Sequence, residues 1–114
     1  MDRALQYLSL AKKANRAALG EEPVGDAIRA GKAALAVAAA DASGHTWRRL
    51  EPAVRLRIPY SKEEMGQAVG RSLLAAAAFT DPALALAFVR ALEPVPRDVE
   101  QALLARRTGH KKEH

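Results

Sequence analysis

The sequence contains no cysteine, which excludes disulfides and thiolate metal sites. Its apolar runs are too short, and too poor in large side chains, to span a bilayer. The opening Met-Asp-Arg-Ala-Leu-Gln-Tyr has no basic region followed by an apolar stretch and a small-residue cleavage site, so cytoplasmic residence with no membrane partner is expected. A glycine-rich phosphate loop of P-loop or dinucleotide type is also missing. Two patterns touch on chemistry, and each has a plainer reading. Asp41, Ser43 and His45 evoke a catalytic triad, but triads are assembled in space, and a strand-end Asp with a helix-capping Ser accounts for two of the three. His110 and His114 have a metal-compatible i, i+4 spacing, yet fall in a polar tail where solvation suffices. The expectation is a protein that is not an enzyme and needs no cofactor or metal.

What is present is positive charge. The 114 residues, enough for one domain with one core, carry 18 Lys+Arg against 13 Asp+Glu, a net of +5. The excess is uneven: residues 1–57 hold ten basic and six acidic groups, and residues 106–114 hold four and one. The segment between them is slightly acidic. A basic face for a partner, with an RNA or ribosomal setting, fits this distribution. Solubility of a small protein is the bland alternative.

Local signals divide the chain. Asp2 can cap a first helix whose Ala4, Leu5, Leu8 and Ala11 recur at helical spacing, and Asn15 suits a left-handed stop. Residues 16–19 read as a short strand. Gly20, Glu21, Glu22 and Pro23 announce a helix, since acidic groups favour its positive end and proline is tolerated in the first turn. Val24, Ala27 and Ile28 share one face, and Gly31 can end the helix. The apolar residues 33–40 suit a strand covered on both faces. Ser43 caps a short segment through Trp47, Arg48 and Leu50 that Pro52 limits. Val54, Leu56 and Ile58 alternate with Arg55 and Arg57, predicting a strand with one buried face and one basic, solvent-facing side. Ser61 and Glu64 form a capping box for a brief helix ending near Val69 and Gly70, followed by a loop at Arg71 and Ser72. Residues 73–79 are a second apolar strand. Thr80, Asp81 and Pro82 start a helix that buries Leu84, Phe88, Ala91 and Leu92. After the Glu93-Pro-Val-Pro96 interruption, Asp98 opens a last amphipathic helix, about residues 97–107, and a disordered basic tail is expected beyond it.

Residues 33–40 and 72–79 are rich in alanine, which favours helix over strand. Local propensity alone permits an α-bundle. Punctuation by Gly and Asp-Pro favours strands.

Several blocks carry a resemblance: Leu-Ser-Leu-Ala-Lys-Lys-Ala at 8–14, Gly-Glu-Glu at 20–22, Ala-Ile-Arg-Ala-Gly-Lys-Ala at 27–33, Ala-x-Asp-Ala-Ser at 39–43, Ser-Lys-Glu-Glu-Met-Gly-Gln-Ala-Val-Gly at 61–70, and Thr-Asp at 80–81. In order and spacing they resemble the bacterial YlxQ branch of the kink-turn-binding ribosomal protein family (the L-seven-Ae type), over about residues 5–92. The resemblance implies an α/β fold, a three-layer α/β/α sandwich with a mixed sheet of about four strands. It assigns residues 1–93 to an RNA-binding domain and leaves 94–114 as an extension with an extra C-terminal helix.

It further implies structured RNA as partner, with ribosomal RNA as one candidate, held by two loops at one end of the sheet: one at Gly20, Glu21 and Glu22, the other at Val69, Gly70, Arg71 and Leu73. A helix start offers free amides, glycine permits close approach, and an apolar loop residue can stack on splayed bases. Arg16 stands where relatives usually carry lysine, and Arg29 and Lys32 match the bacterial branch. Glu22 and Asp26 occupy positions where strict kink-turn binders carry asparagine and lysine; two carboxylates there weaken binding, each by about 1 kcal/mol at moderate salt. Plainer readings stand beside these. Gly20 and Gly70 are turn glycines on fold grounds alone, Arg55 and Arg57 form a solvated strand face, and Trp47 packs against its own fold rather than a base. The alternative function is a protein-interaction module on the same scaffold, with weak RNA affinity and a ribosomal or protein partner at the C-terminal helix.

Overall fold

Short side chains start most of the helices. The computed structural model describes the backbone from Asp2 to Lys112 and the side chains as far as Arg106. The order is α1 (Arg3–Lys13), β1 (Ala17–Leu19), α2 (Glu21–Arg29), β2 (Leu35–Ala38), α3 (Gly44–Arg48), β3 (Arg55–Arg57), α4 (Lys62–Ala68), β4 (Ala76–Phe79), α5 (Pro82–Arg90) and α6 (Arg97–Lys112). Asp2 accepts from the Ala4 amide at 2.9 Å and Ser43 from the Thr46 amide at 3.1 Å. Ser61 and Glu64 close a reciprocal capping box, and Asp81 accepts from the Ala83 amide at 2.8 Å, with Pro82 at the first helical position. Each bond satisfies an amide that has no partner inside its helix. α1 stops at a left-handed Asn15, φ 57°, and α2 before Gly31, φ 72°.

The alanine runs form strands. β4 lies between β1 and β2 in a sheet of order β1-β4-β2-β3. It pairs antiparallel with β1, Ala17 opposite Phe79, and with β2, Leu35 opposite Phe79, while β2 pairs parallel with β3. Residues 76–79 and 35–38 are all fully buried. Central strands covered on both faces suit a continuous apolar run, and pairing on two sides satisfies their backbone groups. This outweighs alanine's helical preference, and the fold is the expected three-layer α/β/α sandwich with a four-stranded mixed sheet. α2 packs on β1 and β4, whereas α1 packs on α4 and α5. The Phe79 and Phe88 rings, with centroids 4.9 Å apart, fasten α5 to β4.

Two expectations are corrected. Arg55 and Arg57 do not form a free basic face. The Arg55 guanidinium lies 4.1 Å from the Trp47 ring centre and donates to the Trp47 carbonyl at 2.8 Å and to Glu51 at 3.0 Å. Arg57 lies 5.3 Å from the same ring and donates to the Ala39 and Ala42 carbonyls at 3.1 and 2.9 Å. β3 is the sheet edge, so both guanidiniums fold back over the segment after β2, add a second donor to carbonyls of its turns, and lie against the Trp47 ring. The last helix begins at Arg97, where it was expected, with the Glu100 amide bonded to the Pro96 carbonyl at 3.0 Å, but it runs to Lys112, past the expected end at residue 107. The rest of the expected tail, with the His114 half of the histidine pair, lies outside the described residues.

α6 packs on α5 through the buried Val99 and Leu103. Between the two helices Glu100, only 6% exposed, accepts from Arg90 at 2.7 Å and Arg97 at 3.0 Å. Those bonds, Arg90 first, hold its carboxyl below the usual glutamate value despite opposing desolvation. Among the described residues, no helix is long and apolar enough to cross a membrane.

Candidate nucleic-acid interface

The two glycine-bearing bends meet. Gly20 joins β1 to α2 at φ 98°, and its amide bonds to the carbonyl of Ala76, the first residue of β4, at 2.9 Å. Gly70 follows α4 at φ 77°. Both values lie where a side chain is strained. The next residue, Arg71, returns across the sheet end: its Nη1 makes a long bond of 3.5 Å to the Leu19 carbonyl. The same nitrogen stands 3.5 Å from where a Gly20 Cβ would be. Leu73, two residues further along the same loop, is 58% exposed, a large apolar side chain left in solvent.

Two residues complete this rim that the sequence did not single out. Lys12, in the last turn of α1, brings its Nζ to 3.8 Å from the position of a Gly70 Cβ. Gly66, inside α4, lets the Arg71 loop fold onto the helix: a Cβ there would stand 2.7 Å from the Arg71 carbonyl oxygen and 2.9 Å from the Leu73 nitrogen. Both fall inside the quoted motif blocks, but their roles depend on neighbours that spacing does not reveal.

The remaining predicted residues divide. Glu21 is used by the fold, accepting from the buried Thr46 hydroxyl and from Arg49, both at 3.1 Å, which ties the start of α2 to α3. Glu22 is exposed in the first turn of α2. Val69, 3% exposed, is a core residue and its side chain does not reach the rim. Arg29, in the last turn of α2, pairs with Asp26, so the Asp26 charge is offset by its own helix. Arg16 and Lys32 lie at the other end of the sheet. The Arg16 carbonyl accepts from Thr80, just past the end of β4, whereas Gly20 bonds to the start of that strand. They line a groove of about 1140 Å³ together with Arg106 of α6.

Residues of the triad-like pattern are engaged elsewhere. Asp41 accepts from the Lys62 amide at 2.9 Å, and Ser43 caps α3. Among the described residues, no three His, Cys, Asp or Glu side chains gather as a metal site would require.

The fold is similar to that of a protein with unknown function from Bacillus halodurans, with a TM-score of 0.72 and 22% identity over 80% of this chain and 97% of the other. It is also similar to the Giardia lamblia 15.5kD RNA binding protein, with a TM-score of 0.62 and 22% identity over 87% of this chain and 85% of that one. At such identities the likeness is one of fold. No protein-family model and no curated protein matches the chain.

Proposed function

We propose that this chain is a non-enzymatic RNA-binding protein, ribosome-associated in setting, that docks a bent or looped, kink-turn-like RNA against the rim formed by Gly20, Gly70, Arg71 and Leu73. The observation that carries this reading is the meeting of the two bends under the Arg71 guanidinium. A sharply bent RNA offers closely spaced phosphates and unstacked bases in one place. Arg71 and Lys12 supply charge for the former, the exposed Leu73 a stacking surface for the latter, and two glycines let backbone approach both. The start of α2 adds unpaired amides at its positive end. The fold likeness to an RNA-binding protein from Giardia lamblia supports the same reading.

A gel shift against a kink-turn RNA and a control hairpin tests it. Arg71→Glu removes one favourable charge and adds an unfavourable one, about 1 kcal/mol each at moderate salt, so affinity should fall about thirtyfold. Parent affinity should also drop steeply with salt. An Arg71→Glu protein that binds kink-turn RNA as well as the parent refutes the two-bend site. The exposed Glu22 at the same helix start favours the second reading, a protein-interaction module with weak RNA affinity. That reading predicts a partner whose capture survives high salt and depends on residues 97–107.

A further inference from the structure

We infer that the groove at the opposite end of the sheet is a second RNA contact, taking the sugar-phosphate backbone of a strand that leaves the rim. Three elements each send one cation into it: Arg16 from the turn after α1, Lys32 from the turn after α2, and Arg106 from α6. No ion pair engages Arg16, Lys32 or Arg106 among the described residues; Arg106 makes a 3.4 Å bond to the Ala33 carbonyl. One carboxylate lines the groove, Asp81, and it is occupied by the amides of Ala83 and Leu84 at the start of α5. The result is an open trough with three cations to one carboxylate, and no ion pair among the described residues holds those cations. Leu103 in its floor is only 2% exposed and the wall residues Ala34, Pro82 and Ala83 are small, which gives a protein segment no deep apolar anchor of the kind stable protein contacts use. A phosphodiester chain needs only the charges.

The trough is joined to the rim by a short, stiff path. Lys12 sits beside Gly70, and the left-handed turn at Asn15 brings the Arg16 amide to 2.7 Å from the Ala11 carbonyl. Residues 16–20 then span rim and groove as extended chain, about 13 Å end to end. A few nucleotides of extended strand cover that distance. The inference rests on the RNA reading of the rim, and it gives Arg16 and Lys32, both read from the sequence as RNA-binding, a contact away from the two bends.

The test compares a short kink-turn RNA with the same RNA carrying a ten-nucleotide single-stranded extension, over a salt series. In the parent, the extension should tighten binding and steepen the salt dependence. The pair Lys32→Glu with Arg106→Glu should leave the short RNA unaffected and abolish the gain in affinity from the extension, flattening the slope of the extended RNA by about 1.4 for two lost phosphate contacts. The milder pair Lys32→Gln with Arg106→Gln should move both readouts the same way by less, which guards against a folding defect. If the extension adds nothing in the parent, or the groove variants bind it as the parent does, the second contact is wrong while the rim stands. If Arg71→Glu changes neither RNA but the groove variants lose the extended one, the rim is wrong and the groove survives. A polyglutamate 20-mer that displaces the extension at equal charge concentration overturns the RNA assignment in favour of an acidic protein segment.

Discussion

Replacing Gly66 by alanine sets two opposed effects against each other. In a helix interior alanine is favoured over glycine by about 1 kcal/mol, so α4 alone would gain. The new Cβ, however, would stand 2.7 Å from the Arg71 carbonyl oxygen, 2.9 Å from the Leu73 nitrogen and 2.9 Å from the Ser72 carbonyl carbon. These are backbone atoms of a loop held by the Arg71 amide bond to the Gly66 carbonyl at 2.8 Å and by the Leu74 amide bond to the Lys62 carbonyl at 2.9 Å. No rotamer change relieves the overlap, so the loop must shift. Overpacking of this kind costs about 1–3 kcal/mol, and with three backbone atoms involved the upper half of that range is expected. The net effect is a loss of about 1–2 kcal/mol after the helical gain is subtracted. For a domain of this size that lowers Tm by about 4–8 °C. Gly25→Ala in α2 is the matched control. Its Cβ would meet only the Arg29 guanidinium, at 3.4 Å, the far end of a flexible side chain, so helix propensity prevails and stability should rise by about 0.5–1 kcal/mol. Urea denaturation of the two variants and the parent measures both. A Gly66→Ala protein as stable as Gly25→Ala would refute the close loop packing, and with it the geometry that aims Arg71 at Gly20. If the reasoning holds, Gly66→Ala also weakens RNA binding, although it removes no charge.

Glu21→Ala should cost about 1 kcal/mol of stability, because it strips a partner from the buried Thr46 hydroxyl and from Arg49; a thermal melt reads this, and a variant as stable as the parent shows that Glu21 does not tie α2 to α3. Docking of α6 should depend on acidity through Glu100. Its carboxyl is held below the ordinary value of 4.5, chiefly by Arg90 and then Arg97, so its contribution is complete above that pH and is lost as pH falls through the lower folded value. The Tm difference between the parent and Glu100→Gln should therefore shrink below pH about 4.5, and a difference that grows on acidification would contradict the pairing.

Much of the architecture was legible because local chemistry decides it. Asp2, Ser43, Ser61 with Glu64, and Asp81 with Pro82 each sit within three residues of the amides they satisfy, so their meaning needs no distant partner. The site was legible in part. Gly20, Gly70 and Arg71 were read as one surface and lie together, whereas Arg16 and Lys32, also read as RNA-binding, lie at the other sheet end. Strand direction explains the separation. Arg16 and Gly20 are four residues apart in sequence, yet an extended segment carries them to opposite ends of the sheet. Arg55 and Arg57 misled for a similar reason: alternation marks which face a side chain leaves from, whereas their partners, Trp47 and the carbonyls after β2, come from elsewhere in the chain.

By itself, the order of residues determined where most helices begin, since caps and left-handed turns act over three or four positions. It also determined the excess of positive charge. Only the tertiary structure decided where that charge is useful, because the rim and the groove join atoms tens of residues apart, such as Arg71 with Leu19 and Arg106 with Ala33. Sheet pairing and helix packing bring such atoms within a few ångströms, and short-range spacing in the chain carries no record of that distance.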